Sequence, residues 1–156
     1  MIQIEIPGFG LLQLSHVVLD SNGTLAVDGS LIEGVRSRLE GLAGELSIHV
    51  VTADTYGKAV GTFQALDCHL IILPPSDQAI AKADYIRRLG SDTVVAIGNG
   101  RNDWLMLQQA AIGIAVLGQE GTSVEALMAA DVVVQDIFTA LDLLQMPLRL
   151  VATLRA

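Results

Sequence analysis

The sequence predicts an α/β fold, a Rossmann-like three-layer domain with a mainly parallel sheet. Short, continuously apolar segments alternate with segments of helical periodicity along nearly the whole chain, and this pattern is typical of parallel strands whose connecting helices cover both faces of the sheet. The apolar segments lack the strict alternation of half-exposed strands, which indicates burial on both sides. With 156 residues, 51% of them hydrophobic, the chain is expected to form a single domain over residues 1–156.

The first predicted element is a β-hairpin at an edge of the sheet. Residues 2–6 ("IQIEI") alternate apolar and polar side chains, "PGFG" interrupts the pattern, and residues 11–14 ("LLQL") follow it. Six buried strands come next along the chain. They are predicted at residues 16–20, 46–52, 69–73, 93–97, 112–116 and 131–135.

Six helices are predicted among these strands, from apolar residues that recur on one helical face. Their ranges are 30–44, 56–66, 76–90, 102–111, 123–130 and 137–145. Ser76 is predicted to cap the helix at 76–90, and Asn102 to begin the helix at 102–111. Asp54 is a candidate cap for the helix at 56–66, and Pro147 predicts a break near residue 146.

Charge and composition argue against several classes of partner. The net charge of -8 at pH 7 opposes binding to nucleic acid or to an anionic membrane surface, because both are polyanions. The single cysteine, Cys68, cannot form an internal disulfide, so a reducing cytoplasm is the expected location. No segment has the organisation of a signal peptide or the apolar length of a membrane span.

His16, His49 and His69 lie in or beside apolar strands, and we expect interior or edge side chains there rather than metal ligands.

Polar residues at the ends of predicted strands indicate a functional site. Asp20 ends one strand, Thr52 ends the next, and Asn99 and Asp103 follow a third. Lys82 lies on the helix that precedes this third strand. Right-handed crossovers bring the carboxyl ends of parallel strands to one edge of the sheet, where ligands bind. We therefore expect these residues, which are distant along the chain, to converge.

A group of this composition suits phosphoryl transfer. The carboxylate of Asp20 can attack phosphorus and form an aspartyl phosphate. The phosphate oxygens need hydrogen-bond donors. The candidate donors are the backbone N–H groups of Gly23 and Thr24, the Thr52 hydroxyl and the Lys82 ammonium. Carboxylate and amide oxygens beside Asp20 suit Mg2+, which would offset the repulsion between carboxylate and phosphate.

Each of these features, taken alone, also has a purely structural explanation. "DSNGT" (20–24) is typical of a hairpin turn because Asn-Gly favours one, and Thr52 could be an ordinary buried β-branched residue. Lys82 could be a solvated helix lysine, and "GNGRND" (98–103) could be a turn capped by Asn102. Their joint order along the chain favours the functional interpretation.

Together the four motifs resemble those of the haloacid dehalogenase superfamily, which run D-x-D-G-T, a hydrophobic strand ending in Ser or Thr, a Lys, and G-D-G-x-N-D. In this chain they stand as "DSNGT" (20–24), "HVVT" (49–52), Lys82 and "GNGRND" (98–103). The stretch at 80–107 is particularly similar to the phosphorylation domain of P-type ATPases and their soluble relatives. The resemblance extends over roughly residues 15 to 135.

The resemblance implies a phosphohydrolase or phosphotransferase with Mg2+ as cofactor. Asp20 would be the nucleophile, with Asn22, Thr52 and Lys82 completing the catalytic set. The implied phosphate ligands are Gly23, Thr24, Thr52, Ala53, Lys82 and Asn102, and the implied metal ligands are Asp20, Asn22 through its backbone carbonyl, Asn99 and Asp103.

Two residues depart from the superfamily pattern. Asn22 stands where phosphatases of the superfamily usually have an aspartate that serves as acid and then as base, and an amide cannot relay a proton at neutral pH. General acid–base catalysis is worth about 10²–10⁴-fold, so slow hydrolysis or a long-lived aspartyl phosphate is expected. Asn99 also replaces an aspartate, which removes one negative charge from the expected metal site and predicts weaker Mg2+ binding.

The segments between the motifs are too short for a cap domain, so the resemblance implies a capless, open site. Either the substrate is large or a neighbouring subunit of a homo-oligomer covers the site, with "AVDG" (26–29) as the candidate segment to reach across. The expected partner is a phosphorylated small molecule or a phosphoprotein. Two alternatives remain open: a non-catalytic module that binds a phosphate ligand or a protein, and a purely structural oligomer subunit.

Overall fold

The computed structural model describes residues 1–54 and 57–156. Its strands are β1 (Ile2–Ile6), β2 (Gly10–Leu14), β3 (His16–Asp20), β4 (Ala26–Val27), β5 (Ser30–Leu31), β6 (Ser47–Thr52), β7 (His69–Ile72), β8 (Val94–Gly98), β9 (Ile112–Val116) and β10 (Val132–Val134). Its α-helices are α1 (Val35–Leu42), α2 (Ala59–Phe63), α3 (Gln78–Leu89), α4 (Trp104–Gln109), α5 (Val124–Ala129), α6 (Ile137–Gln145) and α7 (Leu148–Leu154). Short 3₁₀ turns lie at Ser91–Thr93 and Arg101–Asp103.

The central sheet has six strands in the order β10-β9-β8-β3-β6-β7, and every pairing within it is parallel. After β3 the chain builds one side of the sheet with β6 and β7, and it then returns to the other side of β3 with β8. The strand order therefore reverses between β3 and β8, which is where ligands of open α/β sheets bind. The predicted fold class is confirmed.

Helices cover both faces of this sheet. One apolar cluster joins α1, α6 and the N-terminal hairpin to one face, with Leu39 and Leu141 fully buried in it. A second cluster joins α3, α4 and α5 to the opposite face through residues such as Ile86 and Met106. Because both faces are covered, the strands need apolar residues on both sides, and this explains why their sequences lack alternation.

The N-terminal hairpin is confirmed, but its predicted place at an edge of the main sheet is wrong. Strands β1 and β2 pair with each other as a separate two-stranded antiparallel sheet, with Ile2 opposite Leu14. The alternation in β1 buries Ile2, Ile4 and Ile6 in the core cluster beneath α7. The hairpin thus covers the helical layer, and its apolar stripe is satisfied by packing rather than by pairing with the main sheet.

Several predicted helix starts are corrected by the structure. Asp77, with φ of 55°, precedes α3 in place of Ser76. The helix predicted at 30–44 begins only at Val35, because Ser30–Leu31 pairs with Ala26–Val27 in a small hairpin. Asn102 does not begin a helix, since it lies inside the 3₁₀ turn that leads into α4.

The predicted capping role of Asp54 is supported by its contacts. Its Oδ1 atom accepts hydrogen bonds from the backbone N–H groups of Lys58 and Ala59 at 2.8 and 2.9 Å, and α2 begins at Ala59. The helix predicted at 56–66 is therefore shorter than expected. Tyr56, its first predicted residue, lies outside the described residues.

The predicted break near residue 146 is confirmed, because α6 and α7 meet at an angle of 107° and Pro147 caps α7. In the described part of the chain no single helix is long and apolar enough to cross a bilayer. The bent pair α6 and α7 reaches the required length and composition only when the two helices are counted together.

All three histidines of the chain meet at the amino-terminal half of the sheet, on the face covered by α3. His49 Nε2 lies 3.1 Å from His16 Nδ1, and His49 Nδ1 lies 2.8 Å from the Tyr85 hydroxyl. The His49 ring also stacks on that of His69 at 4.8 Å. Burial, followed by the charges of His69 and His16, lowers the pKa of His49 to about 4. The three residues thus form a hydrogen-bonded and stacked cluster, as expected for interior and edge histidines.

This cluster predicts a loss of stability in mild acid. The pKa of His49 lies below its unfolded value of 6.5, so the unfolded chain binds more protons as the pH falls from 6.5 to 4, and the folded state loses up to about 3 kcal/mol. Urea unfolding at pH 7 and pH 4.5 should show a smaller difference for His49→Gln than for the wild type. Equal differences in the two proteins would contradict this account.

Candidate active site

The site residues come from the carboxyl ends of three adjacent strands and from α3. Asp20 ends β3 and faces Val51 of β6, directly before Thr52. Asn99 follows Gly98 at the end of β8, which pairs with the other side of β3. Lys82 reaches the same edge from α3, with its side chain fully buried. Asp20 and Asn99, which are 79 positions apart in the sequence, therefore converge where the strand order reverses, as their order in the sequence predicted.

Lys82 holds two carboxylates at once. Its Nζ atom donates to Asp20 Oδ1 and to Asp103 Oδ1, each at 2.6 Å. The side chains of Lys82 and Asp103 are fully buried, and that of Asp20 is 9% exposed. Because one ammonium faces two carboxylates in a buried place, the three groups carry a net negative charge when all are ionised.

The ionisation of Asp20 reflects this excess of negative charge. Burial, together with the charge of Asp103, raises the pKa of Asp20 to about 7, although Lys82 and the backbone N–H of Ser21 oppose the rise. For Lys82, burial disfavours the ammonium, but Asp103 and Asp20 outweigh it and raise the pKa of Lys82. The lysine therefore stays charged, and the Asp20 carboxyl can bind a proton near neutral pH.

Asp103 is oriented by more donors than any other side chain of the site. Its Oδ2 atom accepts from the backbone N–H groups of Asn99 and Gly100 at 3.0 and 2.8 Å, while Oδ1 accepts from Lys82. The residue at position 98 must be glycine, because a Cβ atom there would lie 2.6 Å from Asp103 Cγ. With both oxygens engaged and the side chain buried, Asp103 supports Lys82 and the turn after β8, and it is poorly placed for the metal-ligand role predicted from the sequence.

Thr24 links the turn after β3 to the turn after β8. Its hydroxyl donates to Asn99 Oδ1 at 3.1 Å and lies 3.5 Å from Asp20 Oδ2. Gly23 has φ of 81°, and a Cβ atom at this position would lie 2.3 Å from Asn99 Nδ2. The glycine of "DSNGT" is therefore required both by its backbone conformation and by the close approach of Asn99.

The backbone N–H groups of "DSNGT" (20–24), which were predicted to bind phosphate, donate to carbonyls of the same turn. The N–H of Gly23 donates to the Ala26 carbonyl at 2.7 Å, and the N–H of Thr24 donates to the Ser21 carbonyl at 3.2 Å. These bonds close the turn and leave neither N–H directed at a ligand. The contribution of Ser21, whose N–H acts on Asp20, was missed, because no residue type in the sequence indicates a backbone donor.

The remaining predicted residues occupy distinct positions. Thr52 is buried, and its hydroxyl oxygen accepts the N–H of Asp54 at 3.0 Å, which leaves the hydroxyl proton available for a ligand. Ala53 directly follows Thr52 and is half-buried, as is Asn22. Asn102 donates from Nδ2 to Gln78 Oε1 at 2.7 Å. Its amide therefore ties the turn after β8 to α3, rather than facing the open edge as a phosphate ligand would.

Among the described residues, no group of three or more His, Cys, Asp or Glu side chains is arranged to hold a metal ion. Near the Thr24 hydroxyl the site instead offers one carboxylate oxygen, Asp20 Oδ2 at 3.5 Å, and the amide oxygen of Asn99 at 3.1 Å. A hard cation could use such oxygens together with backbone carbonyls, but not as an all-carboxylate site.

Comparison with known proteins places the chain among relatives that lack an assigned activity. No protein-family profile matches it. MJ0073, an uncharacterised protein of Methanocaldococcus jannaschii, is 43% identical over 82 residues, which span 50% of this chain and 88% of that protein. This chain belongs to the family of MJ0073. A second uncharacterised protein of the same organism, MJ0072, is 46% identical over 39 residues, which span 25% of this chain and 89% of that protein.

This chain also resembles a P-type ATPase over a limited region. The phospholipid-transporting ATPase tat-1 of Caenorhabditis elegans is 33% identical over 91 residues, which span 56% of this chain but only 8% of the ATPase. This similarity agrees with the ATPase-like motifs predicted from the sequence.

Solved structures show the fold class to which this chain is similar. The 3-deoxy-D-manno-octulosonate 8-phosphate phosphatase of Moraxella catarrhalis, determined with magnesium, phosphate and KDO, has a TM-score of 0.71 and 14% identity over 85% of this chain and 86% of its own. The cobalt-bound phosphatase YrbI of Haemophilus influenzae has a TM-score of 0.67 and 14% identity, over 86% and 88%. BT1666 of Bacteroides thetaiotaomicron, a HAD-superfamily phosphatase, has a TM-score of 0.59 and 11% identity, over 90% and 96%. The predicted haloacid dehalogenase resemblance is confirmed at the level of the fold.

Proposed function

We propose that this protein is a Mg2+-dependent phosphohydrolase or phosphotransferase that works through an aspartyl phosphate at Asp20, as a single domain. The observation that carries the proposal is the asymmetry of the Asp20 carboxylate. Its Oδ1 atom is fixed by Lys82 at 2.6 Å, whereas the Thr24 hydroxyl lies 3.5 Å from Oδ2. One oxygen is thus held in place while the other remains available to attack phosphorus.

In the proposed reaction, Asp20 Oδ2 forms a bond to phosphorus while the bond from phosphorus to the leaving oxygen breaks, and the electron pair of that bond stays on the leaving oxygen. Water then attacks the phosphorus of the aspartyl phosphate, and the bond from phosphorus to Asp20 Oδ2 breaks with its electron pair returning to the carboxylate. The proton lost by the water passes to a phosphate oxygen or to solvent, and inorganic phosphate is released. Lys82 has a third N–H beyond the two given to Asp20 and Asp103, and Thr52 has its hydroxyl proton. These donors would hold the equatorial phosphate oxygens.

The residues present fit a Mg2+ ion with a small number of protein ligands. We propose the Asp20 carboxylate, the Asn22 carbonyl and Asn99 Oδ1 as those ligands, all of them hard oxygens. When bound, the ion supplies positive charge that offsets the repulsion between the carboxylate and the phosphate. Asp103 contributes indirectly, because it holds Lys82 in place. Since only one of the proposed ligands is anionic, the site should bind Mg2+ weakly. The magnesium in the Moraxella phosphatase and the cobalt in YrbI support a divalent ion.

The chemistry of Asn22 narrows the proposed substrate class. Its amide cannot protonate a leaving oxygen, and the ionisable groups buried around Asp20 within the described residues are Lys82 and Asp103, which are paired with it. Leaving groups that depart without a proton should therefore react best. We propose acyl, aryl or anhydride phosphates, carried by a small molecule, in preference to alkyl phosphate esters.

Beryllofluoride, which mimics a phosphorylated aspartate, tests the proposal directly. Calorimetric titration should show saturable binding in millimolar Mg2+, and no binding in a chelator or to Asp20→Asn. Fluorescence of Trp104, the single tryptophan of the chain and the neighbour of Asp103, offers a second readout. Absence of binding to the wild type would remove the aspartyl-phosphate proposal and would favour a non-catalytic binding module.

Asn22→Asp is expected to raise turnover of an alkyl phosphate by about 10²-fold or more, because it supplies the missing acid and base. With acetyl phosphate the first step, formation of the aspartyl phosphate, should change much less, because the leaving group of this substrate needs no proton. Single-turnover measurement of aspartyl-phosphate formation with both substrates separates this step from the hydrolysis that both share. Equal rate changes for the two substrates would contradict the role assigned to Asn22.

A further inference from the structure

Asn99 stands where the superfamily pattern has an aspartate, and its side chain connects two segments that lie far apart in the sequence. Its Oδ1 atom accepts from the Thr24 hydroxyl at 3.1 Å, and its Nδ2 atom donates to the Gly121 carbonyl at 2.8 Å. The residue is 7% exposed, so both bonds are largely shielded from water. Each end of the amide therefore has its own partner, one in the turn after β3 and one in the loop between β9 and α5.

The loop of residues 117–122, which joins β9 to α5, packs directly on the first motif. A Cβ atom at Gly118 would lie 2.7 Å from the Gly23 carbonyl oxygen, so the two backbones are in contact. The Ser123 N–H donates to the Asn99 carbonyl at 2.9 Å, at the start of α5. The loop also lines a cavity of about 140 Å³ whose lining includes Gly23 and Thr24. The position of this loop thus shapes the space beside the candidate active site.

We propose that Asn99 is a positioning residue, whose amide holds the 117–122 loop against the turn that follows Asp20. A carboxylate has acceptors only, so aspartate at this position would turn an oxygen toward the Gly121 carbonyl with no proton between them. Such an unsatisfied buried contact is unfavourable. The contact with the loop therefore requires an amide at position 99. As a consequence, the proposed metal site has one negative charge fewer than an aspartate would supply. This inference goes beyond the proposed function, because the tether does not depend on phosphoryl transfer.

Hydrogen exchange of the metal-free, full-length protein tests the tether. Backbone amides of residues 117–123 should exchange about tenfold faster in Asn99→Asp and in Asn99→Ala than in the wild type, which corresponds to one buried hydrogen bond of about 1.4 kcal/mol. Amides of β3 and β8 should be unchanged. Asn102→Asp is the matched control, since it places the same charge three residues away on an amide that bonds Gln78, and it should leave the loop at the wild-type rate.

Two outcomes of this experiment would overturn the proposal. Unchanged exchange in both Asn99 variants would show that the backbone alone holds the loop, and acceleration in the aspartate variant only would show charge repulsion without a lost tether. If the variants fail to fold, NMR spectra of the wild-type protein test the tether instead. The proposal expects slowly exchanging Asn99 side-chain amide protons with contacts to Gly121, and their absence overturns it. Because no phosphate analogue is used, failure here is distinct from failure of the beryllofluoride test.

Discussion

Lys82→Met is expected to lower the free energy of unfolding by about 3–5 kcal/mol and the melting temperature by roughly 10 °C. The variant keeps the length of the side chain but removes the charge that Asp20 and Asp103 share at 2.6 Å. Two buried carboxylates would then face each other without a cation, and one of them would have to bind a proton or return to water. Denaturant unfolding at pH 7.5 in a chelator measures this loss without any contribution from bound metal.

The chain offers a matched control for this substitution. Lys58, the other of its two lysines, is exposed at the start of α2. Lys58→Met should change stability by only a few tenths of a kcal/mol, as is usual for exposed positions. Similar losses in the two variants would mean that Lys82 is not the charge that organises the site.

Asp20→Asn is expected to abolish turnover while it stabilises the metal-free protein. Loss of the proposed nucleophile should reduce kcat by roughly 10⁴-fold or more. The pKa of Asp20 is raised to about 7 from 3.8, so above pH 7 its ionisation favours the unfolded chain, and the neutral amide removes a penalty on the order of 2–4 kcal/mol. Thermal melting at pH 8 in a chelator should therefore show a higher melting temperature than for the wild type.

The pH dependence supplies the internal control for this stability gain. Because the penalty disappears as the pH falls through 7 toward 3.8, the wild type and Asp20→Asn should approach the same stability in acid. A variant that is less stable than the wild type at pH 8 would contradict the electrostatic account of the Asp20, Lys82 and Asp103 trio. Retained turnover with intact beryllofluoride binding would contradict the assignment of Asp20 as nucleophile.

The convergence of the site could be predicted because it depends on topology more than on side-chain detail. Once strands and helices alternate, the carboxyl ends of parallel strands must share an edge, so Asp20, Thr52 and Asn99 had to lie near one another. The lysine on the intervening helix followed from the same geometry. The motif order then indicated a phosphate site, and the solved structures agree at the level of the fold.

The assignment of individual hydrogen bonds could not be predicted in the same way. Gly23, Thr24 and Asn102 carry the expected residue types, yet the turn at residues 21–26 uses the backbone donors of the first two, and α3 uses the side-chain amide of the third. Asp103 has the expected carboxylate but is buried with both oxygens engaged. Which acceptor each donor takes depends on how the surrounding elements pack.

By itself the sequence determined the parallel sheet, its strand ends and the identity of the groups at one edge, because periodicity and residue order survive any small change in packing. Tertiary structure alone decided that Lys82 serves two carboxylates, that the hairpin β1–β2 covers helices instead of extending the sheet, and that Asn99 reaches Gly121. Each of these contacts joins residues with no local signal for one another. These contacts form only when the helical layers pack against the sheet, and that packing depends on the whole core.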